Sequence, residues 1–171
     1  MTKPVADTSA VVVMGVSGSG KTTVAELLAR RLGWQEAEAD DFHPAANVAK
    51  MHDGIPLTDA DRLPWLESLR NWISAAPGSV IITCSALKRS YRDLLQTADA
   101  DVRFLHLDGD PEVIRRRMTA RQDHFMPPAL LDSQLDTLER LQPDEPGLVV
   151  DIDQAPERIV DQAVRELGLR S

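Results

Sequence analysis

Ala10-Val11-Val12-Val13-Met14 runs straight into Gly15-Val16-Ser17-Gly18-Ser19-Gly20-Lys21-Thr22, an apolar stretch followed by a complete G-x-x-x-x-G-K-T loop. Glycines at these positions can take φ > 0 and leave room for phosphate oxygens, so backbone N–H groups turn inward around a triphosphate. Lys21 can reach the β- and γ-oxygens as a point charge, and the Thr22 hydroxyl can ligate Mg²⁺. A helix predicted from Thr22 to Leu32 adds the positive end of its dipole at the same place. The pattern implies a cradle for ATP, with Gly15, Ser17, Gly18, Ser19, Gly20, Lys21, Thr22 and Thr23 as the contacting residues and Mg²⁺ on Thr22.

The chain has 171 residues, 43% of them hydrophobic and 27% charged, which suits one α/β domain with a real core. Residues 1–9 carry no signal-peptide core and are expected to form a flexible tail ahead of a single phosphate-loop domain at 10–171. No apolar run approaches the ~20 residues that span a bilayer. A single cysteine, Cys84, allows no internal disulfide, and a cytoplasmic protein is expected. The net charge of -8 argues against nucleic-acid binding through a basic surface. An anionic small substrate would have to be held by local Arg and Lys clusters. His43, His52, His106, His124 and Cys84 show no paired zinc-ligand spacing.

Outward from the loop, β-branched runs alternate with helical ones. Strands are predicted at Val11 to Gly15, near Gln35 to Ala39, at Val80 to Cys84, at Val102 to Leu107 and at Leu148 to Ile152. Helices are predicted at Thr22 to Leu32, near Asp59 to Ala75, Lys88 to Ala98, Pro111 to Arg121, Ala129 to Arg140 and Pro156 to Leu167. Such alternation implies a doubly wound parallel sheet with helices on both faces. The ligand crevice should lie beyond the carboxyl ends of the strands, where the loop, Asp40 and Ser85 converge.

Other P-loop classes fit poorly. Neither Asn47 nor Asn71 opens the N-K-x-D motif that reads guanine, and the one D-x-x-G match, Asp144 to Gly147, lies far downstream. Motors and large ATPases need several hundred residues. A small kinase is left, with ATP on the loop and an acceptor opposite.

Four further segments are distinctive. They are Asp40-Asp41-Phe42-His43-Pro44 leading to Asn47-x-x-Lys50-Met51; Gly54-Ile-Pro-Leu57-Thr-Asp59-x-Asp61-Arg62-x-Pro64-Trp65-Leu66; Cys84-Ser-Ala-Leu-Lys88-x-x-Tyr91-Arg92-Asp93; and Arg117-x-x-x-Arg121-x-x-His124-Phe125-Met126-Pro127. With the phosphate loop and Ser133-Gln134, they closely resemble the gluconokinase family of small P-loop carbohydrate kinases, from about Val11 to Asp153. The resemblance implies ATP-dependent phosphorylation of D-gluconate at its 6-hydroxyl. It also implies strand order 2-3-1-4-5, as in shikimate and nucleoside monophosphate kinases, a mobile lid at about 115–130, and a homodimer. The chain departs from the family at Glu38-Ala39-Asp40, where Asp-x-Asp is usual, and at Arg140, where a proline is common.

Phosphoryl transfer to an alcohol needs a carboxylate that orients the hydroxyl and accepts its proton. Asp40, at a strand end facing the loop, is expected in that role; its alternative is a cap for the turn at His43-Pro44. Arg62 is expected to hold the substrate carboxylate, because a guanidinium grips a carboxylate with two bonds. Lys88 and Tyr91 are either a second wall of that pocket or ordinary surface. His43 and His124 could bond sugar hydroxyls, and the resemblance adds Lys50 to the substrate contacts. Arg117 and Arg121, one turn apart, resemble lid arginines that neutralise the transferring phosphoryl group; a solvated arginine-rich helix is the other reading. Two rival functions remain, a kinase of the same fold acting on shikimate or a nucleoside monophosphate, and a catalytically silent nucleotide-binding regulator.

Overall fold

The computed structural model describes residues 8–120 and 128–170. Among them are five strands, β1 (Ser9–Met14), β2 (Gln35–Glu38), β3 (Val80–Thr83), β4 (Asp101–Asp108) and β5 (Gly147–Asp151). The helices among them are α1 (Lys21–Leu32), α2 (Ala45–His52), α3 (Asp59–Ala75), α4 (Arg89–Leu95), α5 (Pro111–Ala120), α6 (Pro128–Thr137) and α7 (Pro156–Leu167). The strands form one sheet in the order β2-β3-β1-β4-β5, and every pairing is parallel. That is the doubly wound sheet the sequence predicts.

β1 is central because it can be buried on both faces. From Ala10 to Met14 every side chain is fully inaccessible. Val11 and Val13 pack with Leu105 and Leu107 of β4, Val24 and Leu28 of α1, and Ile159 and Ala163 of α7. Ala10, Val12 and Met14 face the opposite layer, with Ile82, Phe104, Trp65, Leu69 and Ile73. A continuous apolar run is what a strand covered on both sides requires. β1 opens at Ser9, whose N–H donates to Ser79 Oγ at 3.0 Å, so the expected tail boundary falls within the strand.

α2 has no counterpart in the sequence reading. Asn47 is its only buried residue, while Val48 and Met51 are 50% and 42% exposed, so no apolar stripe marks it. Asn47 anchors it instead, donating from Nδ2 to the Asp61 carbonyl at 2.8 Å. α6 ends at Thr137 rather than Arg140 because the Glu139 N–H leaves the helix to donate to the Leu87 carbonyl at 2.7 Å. α4 likewise stops short of Ala98, with Thr97 Oγ1 turning back to the Leu94 carbonyl.

A buried ion pair braces the loop after β3. Arg92 and Glu145 are both wholly inaccessible and meet through two bonds, Nε to Oε1 at 2.7 Å and Nη2 to Oε2 at 3.0 Å. Arg92 also donates from Nη1 to the Ala86 carbonyl at 2.8 Å, and Glu145 accepts the Gln142 N–H at 2.8 Å. Ala86 has φ 46°, a strained left-handed value for a residue with a Cβ, held in place by this brace. Cys84 beside it is buried, and desolvation pushes its thiol up to about 12.

His106 lies on β4 between Met14 and Val149, 1% exposed. Neither ring nitrogen has a partner among the described residues, and the residue lines a cavity of about 170 Å³ with Val16, Leu135, Leu138 and Arg140. Burial lowers its pKa from 6.5; Arg92 and Arg140 act in the same direction, Asp108 and Glu145 against it. Just below 6.5 the unfolded chain therefore binds a proton that the folded chain does not, and stability falls as the pH drops through that window. His106→Leu should flatten that slope and stabilise the fold by about 1 kcal/mol near pH 6. His43, also lowered by burial, keeps a residual slope. Denaturant titrations between about pH 5 and 8 measure it; an unchanged slope would show that His106 is not the titrating group.

Candidate active site

The loop after β1 closes on itself because of its glycines. A Cβ on Gly15, at φ 148°, would stand 2.7 Å from the Leu107 carbonyl oxygen and 2.8 Å from Ser19 Oγ. Gly18 and Gly20 have φ 83° and 94°, which turn the backbone inward. α1 carries no acidic residue of its own in its first turn. Lys21 Nζ donates to the carbonyls of Gly15 at 2.9 Å and Val16 at 3.2 Å, setting the ammonium across the loop. Ser19 is buried with its hydroxyl turned under Gly15, so it faces a ligand with backbone alone. Thr23 sits exposed beside Thr22 in the first turn of α1.

Thr22 Oγ1 donates to Glu38 Oε1 at 3.1 Å, across from the end of β2 to the start of α1. The longer side chain of Glu38 thus reaches the hydroxyl that the loop motif reserves for a metal. Among the described residues no group of three or more His, Cys, Asp or Glu forms a metal cage. Mg²⁺ does not need one, since it binds through one or two protein oxygens plus phosphate oxygens and water. Thr22 and Glu38 fit that donor set.

Asp40 follows in a 3-10 turn, Ala39–Phe42, with its side chain 87% exposed. The turn is fixed from below by Trp65, whose Nε1 donates to the Ala39 carbonyl at 2.7 Å. His43 stacks on Trp65, centroids 4.3 Å apart and planes 14° from parallel, with its side chain only 4% exposed. Its Nδ1 lies 3.2 Å from the Asn47 amide nitrogen, a donor, so Nδ1 accepts and Nε2 carries the proton. That N–H faces Asp40 Oδ1 at 4.0 Å. Burial lowers the His43 pKa, which keeps the ring neutral.

The facing wall is the start of α3. Thr58 and Asp61 form a capping box, with Asp61 N–H to Thr58 Oγ1 at 3.1 Å and Thr58 N–H to Asp61 Oδ2 at 2.9 Å. Lys50 Nζ binds both Asp61 oxygens, at 3.0 and 2.9 Å, and with the Thr58 N–H holds that carboxyl near 2. The structure thus gives Lys50 a protein partner in this wall. Arg62, Lys88 and Tyr91 do converge, around Asp59. Tyr91 OH donates to Asp59 Oδ1 at 2.5 Å, Lys88 Nζ binds both Asp59 oxygens at 2.9 and 3.2 Å, and Arg62 Nη1 reaches Tyr91 OH at 3.2 Å and the Leu57 carbonyl at 3.0 Å. The Tyr91 bond, then Lys88, lowers the Asp59 pKa. The sequence marks Asp59 only as the start of a helix; its spacing from Lys88 and Tyr91 carries no local signal, because the contact spans two elements.

On the other flank, Arg117 Nη2 donates to the Ile152 carbonyl at 3.0 Å and ties α5 to the segment after β5. Arg115 bridges Glu112 and Asp132, joining α5 to α6. Arg121 and His124 lie outside the described residues.

A phosphate loop entering a helix at the centre of a parallel sheet ordered 2-3-1-4-5 is the architecture of a P-loop kinase. A family model described as an AAA domain matches residues 11–141. A gluconokinase from Gluconobacter oxydans (strain 621H) is 49% identical over 159 residues, covering 91% of this chain and 89% of that protein. An unliganded sugar kinase from Janibacter sp. HTCC2649 superposes with a TM-score of 0.89 at 57% identity, covering 94% of this chain and 95% of that one. A gluconokinase from Sinorhizobium meliloti 1021 superposes with a TM-score of 0.86 at 43% identity, covering 94% and 91%. The chain belongs to the gluconokinase family. Among the described residues no helix is long and apolar enough to cross a membrane.

Proposed function

We propose that this protein transfers the γ-phosphoryl group of ATP to the 6-hydroxyl of D-gluconate, giving 6-phospho-D-gluconate and ADP. The observation that carries the reading is the 49% identity to a gluconokinase over 91% of the chain. The geometry supports it, since the phosphate loop, Asp40 and the Arg62–Lys88–Tyr91 wall share one end of the sheet. Arg62 and Lys88 hold the gluconate carboxylate, with Asp59 and Tyr91 fixing their heads. His43 and Lys50 shape the floor between that wall and Asp40. Asp40 accepts the hydroxyl proton as the new oxygen–phosphorus bond forms and the bond to the β-phosphate oxygen breaks. Lys21 and Arg117 neutralise charge on the transferring group. Thr22 and Glu38 would hold Mg²⁺, which would supply charge neutralisation to the triphosphate. Arg121 and His124, a closing segment near 115–130 and a homodimeric state enter this reading on the family resemblance, and a cytoplasmic location on the single cysteine.

ADP release with Mg²⁺–ATP against D-gluconate, shikimate, glycerate, glucose and AMP tests it. Stimulation by gluconate alone is expected; stimulation by another acceptor overturns the pocket assignment, and silence across the panel favours a regulator. Asp40→Asn keeps the shape of the turn and removes the base, so turnover should fall by about 10²-fold or more with little change in KM. Steady-state kinetics check this, and wild-type turnover would reduce Asp40 to a cap.

A further inference from the structure

Ser17 is the third residue of the phosphate loop, and its backbone N–H donates to Gln134 Oε1 at 2.7 Å, across 117 residues of chain. The identity of the acceptor is fixed by chemistry, because an N–H must meet the carboxamide oxygen and not its nitrogen. Ser17 directly follows Gly15 and Val16, whose carbonyls hold the Lys21 ammonium. Lys21 is the group that reaches the β- and γ-oxygens, so this N–H borders the γ end of the cradle. In a filled loop the inward N–H groups bond phosphate oxygens. Here one of them is taken by an amide oxygen that carries partial negative charge. Gln134 is half-buried on α6, and α6 is joined to α5 through Arg115 and Asp132.

Resting on the nucleotide-binding reading above, we propose that Gln134 is a positioning residue that senses the γ-phosphoryl group. Its carboxamide oxygen keeps the place of a phosphoryl oxygen on the Ser17 N–H while the γ end is empty. ATP displaces it and releases α6 from the loop; ADP, lacking the γ group, leaves the contact in place. Linkage makes this reciprocal, so anything that strengthens the Ser17–Gln134 contact weakens ATP and spares ADP.

Calorimetric titration of the full chain with Mg²⁺–ATP and with Mg²⁺–ADP, on wild type, Gln134→Glu and Gln134→Leu, decides the matter. The glutamate carboxylate makes a stronger, charge-assisted bond to the Ser17 N–H and repels the γ-phosphoryl group. ATP affinity should therefore fall by about tenfold or more, with ADP within about threefold of wild type. The leucine variant has no oxygen to displace, so it should bind ATP as well as wild type or up to about threefold tighter. It should also melt earlier without nucleotide, and ATP should restore it. An anchor with a purely structural role would behave differently: glutamate, which keeps an acceptor, would be silent, and leucine would weaken both nucleotides alike. Either pattern overturns the proposal. Should the leucine variant not fold, the ATP-against-ADP split of Gln134→Glu decides alone. Wild-type protein that binds neither nucleotide would remove the nucleotide-binding reading itself, and this inference with it.

Discussion

Replacing Lys21 by alanine should lower phosphoryl transfer by about 10³-fold, to the edge of detection, while leaving the fold within about 0.5 kcal/mol of wild type. The two halves of this expectation have separate causes. Structurally, Lys21 donates to the carbonyls of Gly15 and Val16 at the rim of the loop, where water can replace the ammonium. The conformation of the loop comes from elsewhere, from the positive φ of Gly15, Gly18 and Gly20 and the Gly15 N–H bonded to the Ser85 carbonyl. Chemically, no other loop residue brings a full positive charge to the β/γ junction, and in a site closed to water that charge is not screened. Lys21→Met, which keeps the stem, should lose as much turnover as alanine, showing that the charge matters and not the packing. Single-turnover ADP formation with circular dichroism as the folding control measures both; unchanged turnover in either variant would remove the phosphate-loop argument.

Glu145→Ala is expected to cost about 3–5 kcal/mol of stability. It strands the Arg92 guanidinium, wholly inaccessible, with no counter-charge. The loss spreads, because Arg92 also holds the strained Ala86 turn and Glu145 anchors the Gln142 N–H. Replacing both partners, Arg92→Met with Glu145→Leu, should recover most of the loss, since two buried charges then disappear together. Burial alone would raise the Glu145 pKa, but the Arg92 and Gln142 hydrogen bonds outweigh it and hold the carboxyl below its usual 4.5. The contribution of the pair is therefore present above that value and lost as the pH falls through the lowered one. Urea unfolding of the three proteins is the measurement, and a single variant as stable as wild type would contradict the argument.

Most of the fold was legible because its signals are local. A strand buried on both faces reads as an uninterrupted apolar run, as at Val80 to Thr83, and α7 announces itself by Pro156 at its start and Gly168 at its end. The phosphate loop was legible because backbone geometry itself demands glycine at fixed spacing. α2 was not, since its tie to the protein is the polar side chain of Asn47 and not an apolar face. In the site, Arg62 was readable as a candidate anion grip and Lys88 and Tyr91 as either its neighbours or ordinary surface, but Asp59, on which Lys88 and Tyr91 meet, was not. The Ser17–Gln134 contact and the Arg92–Glu145 brace were hidden for the same reason: each joins distant segments through residue types that ordinarily face water.

The central place of β1 also sets an order of assembly. Ala10 is paired on one side with Val80 and on the other with Val102, so one edge of β1 is matched only as the chain nears its midpoint and the other only after it has passed residue 101. Loop-closure entropy must be met before either pairing gives anything back. The nucleotide cradle, written directly after β1, thus waits for strands that pair with β1 from more than sixty and ninety residues downstream of Ala10, and a nascent chain carries its most recognisable motif long before the sheet that supports it is complete.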